Sequence, residues 1–170
     1  MKLSTRSRYG IRAILDVGLH SSHGPVRIQD IAERQEIPPR YLEQIFQRLK
    51  KAGLLESRRG PRGGYVLARK PEEIRVAEII RGIGESVEPV FCSQEGPTRK
   101  RCPREDICTA RLVWREISRA MVQALDSFSI AKMCRMAKAH GLERSKARRS
   151  KRNQDGGEKN IDEKTPVRVS

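Results

Sequence analysis

The sequence predicts a mainly α-helical protein with one small β-hairpin, organised as a winged helix-turn-helix domain followed by a long dimerisation helix. Three observations predict it. Two short apolar-periodic segments meet across Pro38-Pro39, a Gly/Arg-rich tip lies between two short apolar runs, and a long amphipathic stretch follows later in the chain. At 170 residues the chain accommodates one compact domain with extensions rather than two large cores.

The elements follow in order. Residues 3 to 20 set Ile11, Ile14, Leu15 and Leu19 on one face and Arg8 and Arg12 on another, the pattern of an amphipathic helix. The run His20 to Pro25 breaks it. Ile28, Ile31 and Ala32 begin a short second helix that ends across Gln35, Glu36, Ile37 and Pro38. Pro39 suits the first turn of a third helix, where the N–H it lacks has no intrahelical partner anyway. Tyr41, Leu42, Ile45, Phe46 and Leu49 supply the apolar stripe of that helix, and Gly53 closes it. Two short helices joined by a tight turn, the second exposing Arg40, Glu43, Gln44, Gln47 and Lys51, form a helix-turn-helix pattern with the second as recognition helix.

Leu54, Leu55 and Ser57 lead into Arg58-Arg59-Gly60-Pro61-Arg62-Gly63-Gly64, and Tyr65, Val66 and Leu67 lead out. This is a β-hairpin with a basic tip. Gly60, Gly63 and Gly64 let the backbone turn sharply and approach a phosphate closely, while Arg58, Arg59 and Arg62 suit a narrow minor groove. Val76, Ala77, Ile79, Ile80 and Ile83 mark another short helix, ended by Gly82 and Gly84. From about Asp106 to Phe128 a long helix carries Ala110, Val113, Trp114, Ile117, Met121, Ala124, Leu125 and Phe128, a stripe able to pair with a second copy of itself. From Glu143 onward the chain has too few apolar residues to offset its ordering entropy, and a disordered basic tail is expected. The expected organisation is 1–84 as DNA-binding domain, 85–108 as a cysteine loop, 109–142 as dimerisation helix and C-terminal helical segment, and 143–170 as tail.

Charge narrows the function. The formal net charge is +15, and residues 1 to 70 hold 15 Lys/Arg against 6 Asp/Glu. A basic domain of ordinary apolar content fits nucleic acid, since each neutralised phosphate releases counterions. No stretch reaches membrane-spanning length and none reads as a signal peptide, so a cytoplasmic protein without a membrane partner is expected. In that compartment thiols stay reduced. Cys92, Cys102 and Cys108 fall within seventeen positions of a Gly/Pro-containing stretch, so metal or redox ligands are expected there before disulfides.

Together, Met1 to Gly10, the segment Tyr41-Leu42-Glu43-Gln44-Ile45-Phe46, the wing Arg59-Gly60-Pro61-Arg62-Gly63-Gly64-Tyr65, and the Cys92/Cys102/Cys108 loop followed by Trp114 resemble the iron-sulfur cluster regulator family of bacterial winged-helix transcription factors (IscR, NsrR and CymR types). The resemblance spans roughly residues 1 to 135. It implies a homodimer, paired through the long helix and bound to a double-stranded DNA operator, usually as a repressor. It also implies a 2Fe-2S or 4Fe-4S cluster on the three cysteines, whose status changes DNA affinity. By the same resemblance Arg40, Glu43 and Gln44 face the major groove, Tyr9 lies near the backbone, and Arg59 with the wing enters or borders the minor groove. The chain departs from the family pattern at three points: Arg111 stands where IscR types carry a histidine ligand, Arg8 stands where NsrR types carry an acidic one, and the loop between Cys92 and Cys102 is longer.

Other classes of function are weaker readings. Three cysteines and a fourth ligand also suit structural zinc, but no Cys-x-x-Cys pair is present. A thiol redox enzyme lacks a resolving pair and any nucleophile–base constellation, so no enzyme is expected. A cluster-free or zinc-bound regulator controlled by a protein partner is the alternative. Cys134 is a candidate fourth ligand, although a lone cysteine on a helix is more often a small core residue. His20, His23 and His140 read as solvated.

Overall fold

In the computed structural model, residues 4–93 and 101–142 are described. They form six helices and one two-stranded antiparallel hairpin. The tail expected over 143–170 lies outside the described residues.

Helix α1 (Thr5–His20) starts at Ser4, whose hydroxyl accepts from Ser7 N at 3.0 Å and so caps the first turn. It is the central helix, burying Ala13, Ile14 and Val17 completely. Helix α2 (Ile28–Gln35) stops at Glu36, a left-handed residue at φ 53°, as Ile37 N bonds back to Ala32 O. Helix α3 (Pro39–Lys51) begins with Pro39 in its first turn and buries Leu42, Ile45, Phe46 and Leu49. Each such side chain removed from water contributes roughly 1.5–3 kcal/mol.

Strands β1 (Leu55–Arg58) and β2 (Gly64–Leu67) pair from Leu55↔Leu67 to Arg58↔Gly64. Val26, just before α2, adds a bridge to Tyr65 through two backbone bonds of 2.9 and 2.8 Å, so the hairpin is fastened to the helix-turn-helix. Helix α4 (Val76–Gly82) then packs on α1, α3 and the later helix α5 (Ala110–Asp126). Helix α6 (Ile130–Ala139), capped by Ser129 accepting from Lys132 N, returns to α1.

The long helix is shorter than its apolar stripe implies. Ahead of it, residues 103–109 turn instead, with Glu105 N bonded to Cys102 O and Ile107 N to Arg104 O. Behind it, Phe128 O accepts from Val76 N and Ile130 N donates to Ile74 O. Those two backbone bonds make a corner at residues 127–129 and hand Phe128 to the junction of α5 and α6.

Gly18 permits the close approach of α1 and α6. A Cβ there would lie 2.7 Å from Ile130 Cγ2 and 3.2 Å from Cys134 Sγ. Ile130 thereby joins the main core, while Val76, Ala77, Ile80 and Val87 form a second cluster with Val122, Leu125, Phe128 and Met133.

Candidate nucleic-acid interface and thiol segment

The inner face of α3 is fixed by its buried stripe, which leaves Arg40, Glu43, Gln44 and Gln47 exposed on the outer face. A buried carboxylate sets the angle of the preceding helix. Asp16, 1 % exposed, accepts from Arg34 Nη2 at 2.6 Å, from Arg34 Nε at 3.1 Å and from Gln35 Nε2 at 2.8 Å. Arg12 in turn donates to the Gln35 side chain and carbonyl. The hydrogen bond to Asp16 raises the Arg34 pKa despite the opposing cost of burial. His20, expected to be solvated, is part-buried with Nδ1 2.8 Å from Asp16 O and 3.4 Å from its carboxylate. Asp16 carries no site reading in the sequence; a carboxylate on a helix's inward stripe, with an arginine in the next helix, is the signal that marks such a pair.

Tyr9 packs edge-on against Tyr41 with ring centroids 5.8 Å apart, and the Arg12 guanidinium lies 5.5 Å from the Tyr9 ring centroid. The structure therefore places Tyr9 as a partly buried brace against Tyr41, near the start of α3. At the wing, Arg59, Gly60 and Arg62 are exposed, whereas Arg58 pairs with Glu56 at 3.2 Å. Both partners of that pair are mostly solvated, so it holds Arg58 weakly.

Gly63 and Gly64 have a structural reason to be glycine. A Cβ on Gly63 would lie 2.5 Å from Arg58 O, and one on Gly64 would lie 2.6 Å from Val26 O. Wing and recognition helix are also joined directly. Lys50 Nζ donates to Ser57 Oγ at 2.8 Å, and Tyr65 stacks edge-on with Phe46 at 4.7 Å. Burial, followed by the Glu43 charge, pushes the Tyr65 hydroxyl pKa up.

The three loop thiols are free and partly exposed. Cys92 sits in a 3-10 turn, Phe91–Ser93, whose buried Ser93 Oγ accepts from Ser118 Oγ of α5 at 2.8 Å. Cys102 opens the turn at 103–107, and Cys108 precedes α5, where its carbonyl accepts from Arg111 N at 3.1 Å. Among the described residues no three Cys, His, Asp or Glu side chains converge into a metal site, so the thiols share a segment without meeting at a point.

Arg111 pairs through Nη2 with the Glu105 carboxylate, and its Nε is buried with no hydrogen-bond partner among the described residues. Such a donor costs about 1–3 kcal/mol. Three unpaired thiols are the soft donors an iron-sulfur group takes, and the orphaned N–H on the helix turn that follows Cys108 is a donor that a sulfur acceptor would satisfy. On donor chemistry the residues fit the group in three positions. Cys134 is elsewhere, packed on the main core beside Gly18, with its thiol pKa pushed up by burial against a smaller lowering from Lys138.

Helix α5 keeps little to itself: Ser118 is its one buried residue, and Leu112, Val113, Trp114 and Ile117 are exposed on its outer side. No helix among the described residues is long and apolar enough to cross a membrane.

A polar recognition helix set by a buried ion pair, with a basic hairpin braced against it, defines a winged helix-turn-helix DNA reader. Residues 3–136 match the model of the Rrf2 family, described as iron-dependent transcriptional regulator. The chain is 44 % identical over 137 residues to Protein rrf2 of Nitratidesulfovibrio vulgaris, covering 81 % of this chain and 89 % of that one. It is also 44 % identical over 133 residues to the HTH-type transcriptional regulator IscR of Photorhabdus laumondii, covering 78 % and 79 %. Among solved structures, T. potens IscR matches with a TM-score of 0.66 at 37 % identity, over 81 % of this chain and 88 % of that chain. CymR (YrzC), the global cysteine regulator of B. subtilis, matches with a TM-score of 0.63 at 29 % identity, over 80 % and 98 %. The chain belongs to the Rrf2 family. It is a DNA-binding winged-helix transcription regulator of the IscR type and not an enzyme.

Proposed function

We propose that the protein is a cytoplasmic homodimeric repressor whose affinity for its operator is set by an iron-sulfur cluster held by Cys92, Cys102 and Cys108. The observation that carries this reading is the place of the thiols, on the one segment joining α4 to α5. Bound there, a cluster of two or four irons supplies a centre sensitive to redox state, nitric oxide or iron supply.

The chain's own contacts supply a route from that segment to the DNA face. The Cys92 turn is tied to α5 by Ser93 and Ser118, and α5 packs on α4 through Val122 and Leu125 against Val76 and Ile80. The residue after α4, Ile83, accepts at its carbonyl from Arg48 Nη1 of α3 at 3.1 Å. A shift of the loop thus has contiguous packed partners through which to move the recognition helix.

On the DNA side, Gln44 suits adenine, Arg40 suits guanine, and Glu43 accepts from cytosine or excludes other bases. Arg59 and Arg62, with Gly60 at the turn, take the minor groove, and Arg58 adds a cation beside them. Pairing of two α5 outer faces buries Trp114 and Ile117 and presents two recognition helices to two half-sites.

The test is anaerobic purification followed by iron, acid-labile sulfide and zinc analysis and a visible spectrum, for wild type and Cys102→Ala. Iron, sulfide and a broad visible band, all lost in the variant, are expected; an unchanged variant spectrum removes the loop from the site. The second reading, a cluster-free or zinc-bound regulator under a protein partner, has the likeness to CymR in its favour, and its metal-free form also the thiols' separation among the described residues. Zinc alone, or no metal, would select it.

A further inference from the structure

One arginine spans the turn that carries two of the three loop thiols. Arg111 lies on the first turn of α5, three residues after Cys108, and its guanidinium reaches back to Glu105, which stands between Cys102 and Cys108 in the sequence. Nη2 pairs with the Glu105 carboxylate, and Nη1 donates to the Glu105 carbonyl at 3.4 Å. Both side chains are largely buried, 23 % exposed for Arg111 and 9 % for Glu105.

Two nitrogens of a planar fork are therefore fixed, and the plane fixes the third. That third nitrogen, Nε, is buried and without a hydrogen-bond partner among the described residues. Buried side-chain donors are seldom left this way. Because the Glu105 carboxylate offsets the guanidinium charge, what Arg111 offers its surroundings is a directed N–H rather than a free cation. A guanidinium stays protonated and has no acceptor, so it cannot itself ligate a metal.

Resting on the reading that the three cysteines hold an iron-sulfur group, we infer that Arg111 is the positioning residue of that site: Glu105 locks its guanidinium, and Nε–H donates a hydrogen bond to a sulfur of the thiolate-held group. Donation to sulfur draws off electron density and favours the reduced, more negative form, so the interaction raises the reduction potential. It also ties the Cys102–Cys108 turn to the first turn of α5.

The test compares anaerobically purified wild type, Arg111→Lys and Glu105→Gln, each full length and checked for fold by circular dichroism. Lysine keeps a cation for Glu105 and removes the fixed Nε–H. Arg111→Lys is expected to retain iron and sulfide at the wild-type ratio, to show a lower midpoint potential and shifted iron–sulfur stretching bands in resonance Raman spectra, and to bleach several-fold faster in air. Wild type lacking iron and sulfide overturns the cluster reading and this role with it. Wild type that is loaded, beside an Arg111→Lys variant with unchanged potential, bands and bleaching rate, overturns the role of Arg111 alone. If Arg111→Lys does not fold, Glu105→Gln decides through the resonance Raman spectrum: the loosened fork shifts the iron–sulfur stretching bands, and unchanged bands overturn the inference.

Discussion

Arg34 Nη2 sits 2.6 Å from Asp16 Oδ1, and Arg34 Nε is shared between the two carboxylate oxygens at 3.1 Å each. The helix before the recognition helix is thus clamped to the central helix through a carboxylate that has almost no solvent access. Replacing Asp16 with alanine leaves Arg34 part-buried and uncompensated, and is expected to cost about 3–5 kcal/mol of stability. Chemical denaturation measures this, and a loss below about 1 kcal/mol would place the pair among ordinary surface bridges. The raised Arg34 pKa gives the sign of its pH dependence: its contribution is complete below the ordinary arginine range and is lost only as pH climbs through the folded value.

Arg59 and Arg58 differ in their neighbours, since Arg58 pairs with Glu56. Arg59→Ala is expected to weaken operator binding and to reduce the slope of log affinity against log salt by about 1, the effect of one lost phosphate contact. Fluorescence anisotropy over a salt series reads both. An unaltered slope with unaltered affinity would take the wing tip off the DNA.

Ile117 and Trp114 are both 38 % exposed on a helix that buries only Ser118. A charge at Ile117 should separate the protomers without unfolding them, because the core of each protomer does not include that side chain. Light scattering of Ile117→Glu is expected to give the monomer mass where wild type gives twice that mass. A dimeric variant would move the interface elsewhere.

Cys134 tests the thiols in the other direction. Burial raises its pKa, so at a given pH less of it is thiolate and it attacks an alkylating reagent more slowly. Mass-resolved iodoacetamide labelling is expected to modify Cys134 several-fold more slowly in the native protein than in urea. Equal rates would mean that α6 does not hold its place against α1.

Much of this fold was legible because its punctuation is local. Pro39 in the first turn of α3, Gly53 at φ 67° after it, and Gly60 at φ 118° in the hairpin tip act through their own backbone chemistry. What stayed hidden is what needs a partner distant in sequence. Val26 reads as a loop residue until Tyr65 bonds to it, and Gly64 reads as a DNA-approach glycine until its clash with Val26 O is seen. The length of α5 was overestimated for the same reason, since the apolar stripe runs on to Phe128 while backbone bonds from Val76 and to Ile74 turn the chain there. At the site, the exposed polar face of α3 and the three cysteines of the loop could be read from residue type and spacing. Glu105 and Arg111 were not visible as a pair, because a clamp within a turn leaves no periodic trace.

The central claim is that the thiol segment governs DNA affinity, and operator binding before and after cluster removal tests it most directly. Anaerobic anisotropy titrations of the iron- and sulfide-containing protein, and of the same sample stripped by a chelator, are expected to differ in dissociation constant by about 5- to 150-fold, the usual range of such coupling. Identical constants for two samples that differ in iron content and share the same fold would contradict the account.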